Sequence, residues 1–131
     1  MKEQSTTLPH PFAELIGFEI TARGEGRCTS ELDANESHLN PHGTIHGAVL
    51  YALADTAMGG ALTSVLEEGE LCSTIEIKIN YFRPARPGHL RCETRLIHKG
   101  SRTGALESEI FDEKDRLIAR ATGTFMILVP V

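Results

Sequence analysis

The sequence predicts a single α+β domain in which an antiparallel sheet curves around one buried helix. Three observations carry that expectation. The chain has 131 residues, 40% of them hydrophobic and 24% charged, enough apolar material for one ordinary core. Between Gly43 and Leu66 the residues are almost all small or apolar, and Asp55 is the only acidic or basic side chain there if the histidines are neutral. Beyond that stretch apolar residues recur with a period of two, the repeat of a half-buried strand.

The elements follow in order. Residues 1 to about 10 are a polar, loose lead. Pro9 and Pro11 then open a short apolar helix, Phe12 to Ile16, stopped by Gly17. Phe18, Ile20 and Ala22 alternate with polar residues, Gly24 and Gly26 mark a turn, and Cys28, Ser30 and Leu32 alternate again, which predicts a hairpin. The alanine and leucine content of Gly43 to Leu66, with Val49 and Met58, favours helix, ending near Gly59-Gly60 or a turn beyond. Being apolar on nearly all sides, that helix is expected to be wrapped by the rest of the domain. In the next strand Ile75, Ile77, Ile79 and Tyr81 face one way, toward the helix, and Thr74, Glu76, Lys78 and Asn80 face the other. Pro84 and Pro87-Gly88 interrupt the pattern. His89 to His98, Ala105 to Asp112 and Leu117 to Val129 supply three more strands, with turns at Gly100 and near Glu113-Lys114. At least five strands are expected.

Composition narrows the function. With 13 Lys+Arg against 18 Asp+Glu and a net charge of -5, the chain lacks the positive surplus that a general nucleic-acid binder needs. It has no tryptophan and few aromatic residues, little material for stacking on bases. Cys28, Cys72 and Cys92 are odd in number and widely spaced, which fits a reduced, cytoplasmic setting. The start of the chain carries no apolar run, so neither a secretory signal nor a membrane anchor is expected. The Gly43 to Leu66 stretch holds Asp55, His46 and several glycines, unlike a spanning segment of roughly 20 uninterrupted apolar residues.

The chemistry concentrates in Asn40-Pro41-His42-Gly43-Thr44-Ile45-His46-Gly47-Ala48, which runs into the helix bearing Asp55. The first backbone N-H groups of a helix lack intrahelical partners and lie at its positive end, so those near Gly47 can hold a carbonyl oxygen that gains negative charge. Asp55 lies eight residues beyond Gly47, about 12 Å along one helix at 1.5 Å per residue. That is too far for both groups to grip one reacting carbon. Two copies of the helix, antiparallel across a twofold axis, would bring Asp55 of one toward Gly47 of the other, so the spacing points to a homodimer with two shared sites.

Asn40, Gly43, His46-Gly47 and Asp55 resemble the signature of the hotdog-fold acyl-CoA thioesterases of the phenylacetate-degradation type. The likeness runs from about Pro11 through the hairpin, the helix, the Thr74 to Tyr81 strand and Phe82-Arg83-Pro84-Ala85-Arg86-Pro87-Gly88. It implies a hotdog fold and hydrolysis of an acyl-CoA to a carboxylate and free coenzyme A, with no metal or redox cofactor. By that resemblance Asp55 is the general base or the nucleophile, and Gly47 donates its N-H to the thioester oxygen. His46 brackets the thioester, Asn40 orients water or the reacting group, and Thr74 stands where relatives often carry a serine that positions water. Ala48 departs from the second glycine of many relatives and could trim acyl space. Arg83 and Arg86 with Lys99, Ser101 and Arg102 offer local positive charge for the coenzyme A phosphates. The assembly implied is a tetramer of two dimers.

Blander readings attach to each residue. Asp55 could be a structural carboxylate, though an unpaired buried charge is costly. His46 could be a turn histidine, Asn40 ordinary turn chemistry and Thr74 a plain strand residue. The arginines and Lys99 could be a solvated surface. His42 and His46 have a metal-like spacing, but Gly43 and Thr44 between them suggest a loop and no third ligand stands out. His46 with Asp55 could instead serve an enoyl or hydroxyacyl thioester hydratase or dehydratase, and a non-catalytic acyl-CoA-binding protein is a third reading. The small alanines and Met58 permit an aryl or medium acyl group, and an acyl-protein carrier is a further possible substrate.

Overall fold

The computed structural model describes residues 9–129. Most of the expected N-terminal lead lies outside them. Of that lead His10 is held in place, because its Nδ1 accepts from the Ala13 N-H at 3.2 Å and so caps helix α1, Pro11–Ile16. Gly17 ends the helix with φ 98, the left-handed conformation that glycine adopts without a Cβ clash.

The hairpin is β1, Glu19–Gly24, and β2, Arg27–Ala34. Glu25 and Gly26 join them with φ 54 and 78, the positive pair of a type I′ turn whose twist matches that of the strands. A short 3-10 turn, Glu36–His38, follows. Its His38 Nδ1 accepts from the Asn35 N-H, which leaves Nε2 as the donor to the Ile16 carbonyl at 2.6 Å. The end of α1 is thereby tied to the loop that precedes the central helix.

That helix, α2, runs from Gly47–Thr63. It is shorter at both ends than Gly43 to Leu66, and it passes through Gly59-Gly60 to end one turn beyond, within the expected bounds. Tertiary contact explains the glycine: a Cβ on Gly60 would stand 2.8 Å from the Cys28 sulfur, so the missing side chain lets β2 close on the helix. Leu53, Ala54, Ala57, Met58, Ala61 and Leu62 are fully buried. The expected wrapping on all sides is incomplete. Tyr51, Asp55, Gly59 and Thr63, four residues apart and so on one face, remain exposed or half-buried. The helix hides its open stripe from composition because, Asp55 apart, the stripe carries uncharged groups where a solvent face would carry charges.

Strands β3, Leu71–Tyr81, β4, Gly88–Lys99, β5, Thr103–Phe111, and β6, Leu117–Leu128, complete a six-stranded antiparallel sheet in the order β1-β2-β4-β5-β6-β3. The sheet curls around α2, the arrangement expected, with β3 and β1 at its edges. Leu32, Leu90, Leu106, Ile110 and Ile118 from the inner face meet the helix in one core. Among the described residues no helix is long and apolar enough to cross a membrane.

Strand β3 departs from the simple alternation. Thr74 pairs with Phe125 and Glu76 with the adjacent Thr124, so Ile75 is an extra residue, a β-bulge. One inserted residue reverses which side chains face the core. Ile77 and Ile79 stay against the core as expected, whereas Ile75 is 50% exposed and Thr74 turns toward α2.

Candidate active site

The head of α2 is built by Asn40. Its Oδ1 accepts from the N-H groups of His42 and Thr44 at 2.9 and 3.2 Å, and its Nδ2 donates to the Thr44 hydroxyl at 2.8 Å. Gly43, with φ 83, supplies the turn these bonds require. Asn40 thus shapes the loop; the side-chain contacts it makes here are within the loop itself. The Ile45 N-H donates to the Ala85 carbonyl and the His46 N-H to the His38 carbonyl, both at 2.8 Å.

His46 is the N-cap of α2. Its Nδ1 accepts from the Ala48 N-H at 3.0 Å, which places the ring proton on Nε2 in the neutral side chain, and its carbonyl takes the Val49 N-H. With the N-H groups on either side engaged, that of Gly47 makes no hydrogen bond within the described residues. An unspent donor at the positive end of a helix is what an oxyanion needs. Over Gly47 lies Tyr81. Its hydroxyl donates to the Gly47 carbonyl at 2.8 Å, and a Cβ on Gly47 would stand 2.9 Å from the tyrosine ring.

Two turns along the helix, the Thr74 hydroxyl donates to Asp55 Oδ1 at 2.7 Å. The bulge at Ile75 makes this contact possible. Strict alternation would set Thr74 on the side away from α2. Asp55 is half-buried, with its Oδ1 held by Thr74. A cleft of about 410 Å³ runs from it along the open stripe, lined by Asp55, Thr56, Gly59, Thr63, Cys72 and Phe125 among others. A second cleft of about 320 Å³ adjoins Gly47, with Asn40, Leu50, Tyr81, Phe82 and Arg83 in its walls.

One chain thus presents two separate clefts, one at Asp55 and one at Gly47. Within one chain the basic residues lie toward the two ends of β6. The Arg83 N-H bonds the Ile118 carbonyl at the start of β6, and the Ile127 N-H bonds the Arg102 carbonyl at its end. Nine residues of extended strand separate these points, about 30 Å. Arg83 and Arg86 therefore belong to the Gly47 end, and Lys99, Ser101 and Arg102 to the other. Among the described residues no group of three or more His, Cys, Asp or Glu side chains is placed to hold a metal ion. His46 spends Nδ1 on its own helix.

Sequence reasoning missed Tyr81, Cys72 and Gly59. Tyr81 stood in the apolar set facing the helix, so its direction was legible and its partner was not. Gly59 lies one turn beyond Asp55, and that spacing could have marked it as part of the same cleft.

Comparison with known proteins agrees with this fold. The profile of the Thioesterase superfamily matches residues 42–119, a span from the loop before α2 into the start of β6. The chain is 32% identical to the 1,4-dihydroxy-2-naphthoyl-CoA hydrolase of Escherichia coli over 126 residues, covering 83% of this chain and 92% of that one. It is 29% identical to the acyl-coenzyme A thioesterase PaaI of the same organism, covering 85% and 78%. Among solved structures, the conserved protein PA5202 of Pseudomonas aeruginosa superposes with a TM-score of 0.87 at 33% identity, covering 92% and 95%. The E. coli PaaI structure gives 0.84 at 27% identity, covering 91% and 85%. The chain belongs to the Thioesterase superfamily, as a hotdog-fold thioester hydrolase of the phenylacetate-degradation type.

Proposed function

We propose that this protein hydrolyses an aryl or short to medium acyl-CoA to the free carboxylate and coenzyme A, in a homodimer whose two sites each join Asp55 of one subunit to Gly47 of the other. The observation that carries the reading is the unspent Gly47 N-H at the head of a helix whose only acid is Asp55. Acting as general base, Asp55 takes a proton from water while the water oxygen bonds the thioester carbon. The carbonyl oxygen becomes an oxyanion against the Gly47 N-H. The C-S bond then breaks, and the coenzyme A sulfur leaves with the electron pair and recovers the proton. As nucleophile, Asp55 would instead bond the carbon itself and release the acid on hydrolysis of the resulting anhydride. In both cases Thr74 holds Oδ1 and leaves Oδ2 to react, and His46 Nε2-H and Asn40 border the thioester and its loop.

The dimer rests on geometry. The half-sites are about 12 Å apart on one helix, and the open stripe of α2 is poor in charge. The exposed edge of β3 carries Leu71, Ile75 and Tyr81 at 64%, 50% and 48% exposure, a template for pairing with a second strand. An antiparallel pair would also bring Arg83 and Arg86 of one copy toward Lys99, Ser101 and Arg102 of the other, as a phosphate-binding rim. A tetramer of two such dimers is the assembly the family resemblance implies. The names of the two E. coli relatives support coenzyme A thioesters as the substrate class.

The test is free-thiol release from a panel of aryl, short, medium and long acyl-CoAs, comparing the parent with Asp55→Asn in the same oligomeric state. Release by the parent that collapses in the variant is expected. No release across the panel would sink the reading in favour of hydration chemistry or simple binding, and full activity in the variant would remove Asp55 from its role.

A further inference from the structure

We infer that Tyr81 is a positioning residue of the oxyanion site, holding the Gly47 Cα and carbonyl so that the N-H on the other side of that Cα keeps its direction toward the thioester oxygen. The inference rests on the proposed hydrolysis and adds a residue to it. Gly47 is the first residue of α2, where a helix frays, and glycine has the widest backbone freedom of any residue. A donor there stabilises an oxyanion only if its direction is set before the reaction begins. Two restraints set it. On the N-terminal side, the His46 carbonyl, which shares a peptide plane with the Gly47 N-H, accepts the Val49 N-H at 2.9 Å. On the C-terminal side, the Tyr81 hydroxyl donates to the Gly47 carbonyl, in the next peptide, at 2.8 Å, and so holds the Cα about which the first plane could turn. A carbonyl oxygen has two lone pairs, so this bond is compatible with the first helical one.

The ring contributes as well as the hydroxyl. With a glycine Cβ position only 2.9 Å from one ring carbon and 3.2 Å from another, the ring lies flush on the Gly47 Cα and excludes any side chain there. Glycine and tyrosine are thus matched parts of one contact. Tyr81 acts through Gly47 and borders the 320 Å³ cleft. It also reaches this place from the end of β3, the strand that holds Asp55 through Thr74. One strand therefore sets both ends of the reacting stretch, the acid by a threonine hydroxyl and the amide by a tyrosine hydroxyl.

The experiment compares the parent, Tyr81→Phe and Tyr81→Leu for kcat and KM on the best acyl-CoA, for thermal unfolding, and for affinity toward the matching acyl-CoA thioether, which has no carbonyl to stabilise. Losing one hydroxyl bond is expected to lower kcat about three- to tenfold in Tyr81→Phe. Thioether affinity should stay within about twofold, because ground-state binding does not use the Gly47 N-H in this way. Tyr81→Leu, which also removes the ring, should lose more. Unchanged kcat in both variants would overturn the inference, and so would a fall in kcat matched by an equal fall in thioether affinity, which marks a pocket wall. Absence of hydrolysis by the parent is a separate result that removes the proposed function and this inference together.

Discussion

The two ends of α2 solve different physical problems. In the proposed reaction the group at Asp55 is a side chain, and the protein only has to deliver it to a cleft with one hydrogen bond from Thr74. The proposed group at Gly47 is backbone. It needs the Asn40 loop, the His46 cap and the Tyr81 ring and hydroxyl around a residue with no side chain. A side-chain site can therefore be emptied without touching the fold, whereas a backbone site can be altered only by moving the fold.

The largest effect should come from Asp55→Asn, nearly isosteric, with kcat down about 10² to 10⁴-fold and the melting temperature within a degree or two of the parent. A large drop in melting temperature would break the comparison, because it would make Asp55 structural. Next comes Gly47→Ala. One added methyl meets the Tyr81 ring at 2.9 Å, so a destabilisation of about 1–3 kcal/mol is expected, together with a loss in kcat approaching the 10² to 10³-fold cost of a missing oxyanion donor. Thermal melts beside the kinetics check it. Pairing the change with Tyr81→Leu should recover stability and leave activity low, a non-additive cycle.

A smaller effect, about three- to tenfold in kcat, is expected of Thr74→Val, which keeps the shape and the bulge but removes the donor to Asp55. Steady-state kinetics would reveal it, and an unchanged kcat would leave the threonine as a plain strand residue.

The smallest effect lies on the outer face of the sheet and separates stability from catalysis. His89 bonds Asp33 and Glu31, each at 2.8 Å. Those hydrogen bonds, the one to Asp33 foremost, hold the His89 pKa above its usual 6.5. The Thr21 hydroxyl and then His89 hold Glu31 below its usual 4.5. The histidine's contribution is fully present below about 6.5 and is lost as pH rises through its raised folded value. The glutamate's contribution is present above about 4.5 and is lost as pH falls through its lowered folded value. The clasp therefore stabilises most between those limits, and modestly, because the His89 side chain is 44% exposed. The melting temperatures of parent and His89→Gln should differ most in that window and converge outside it, with kcat unchanged. A constant difference across pH would show that the clasp is not electrostatic.

Much of the fold was legible in the chain. The period-two runs placed the strands, Gly24 to Gly26 placed the hairpin turn, and the alanine- and leucine-rich stretch placed the central helix. Asp55 stood out because a lone acid in such a helix has no local reason to be there. Gly47 can be read as an open helix head, but strict alternation puts Ile75 on the wrong side of β3. The error comes from carrying a local pattern past the point where pairing decides. A bulge appears only when β3 is set in register with β6, and residues alike in charge can stand at opposite ends of one long strand within a chain.

The sequence by itself therefore determined the elements, the single acid and the unusual helix head, because those depend on repeats and propensities that act within a few residues. Only the tertiary structure decided that Thr74 turns to Asp55, that a stripe of α2 stays open, and that a tyrosine from the sheet edge closes on Gly47. The two hydrogen bonds join residues 19 and 34 positions apart in the chain, and the bulge that turns Thr74 depends on strand register, which no local period encodes.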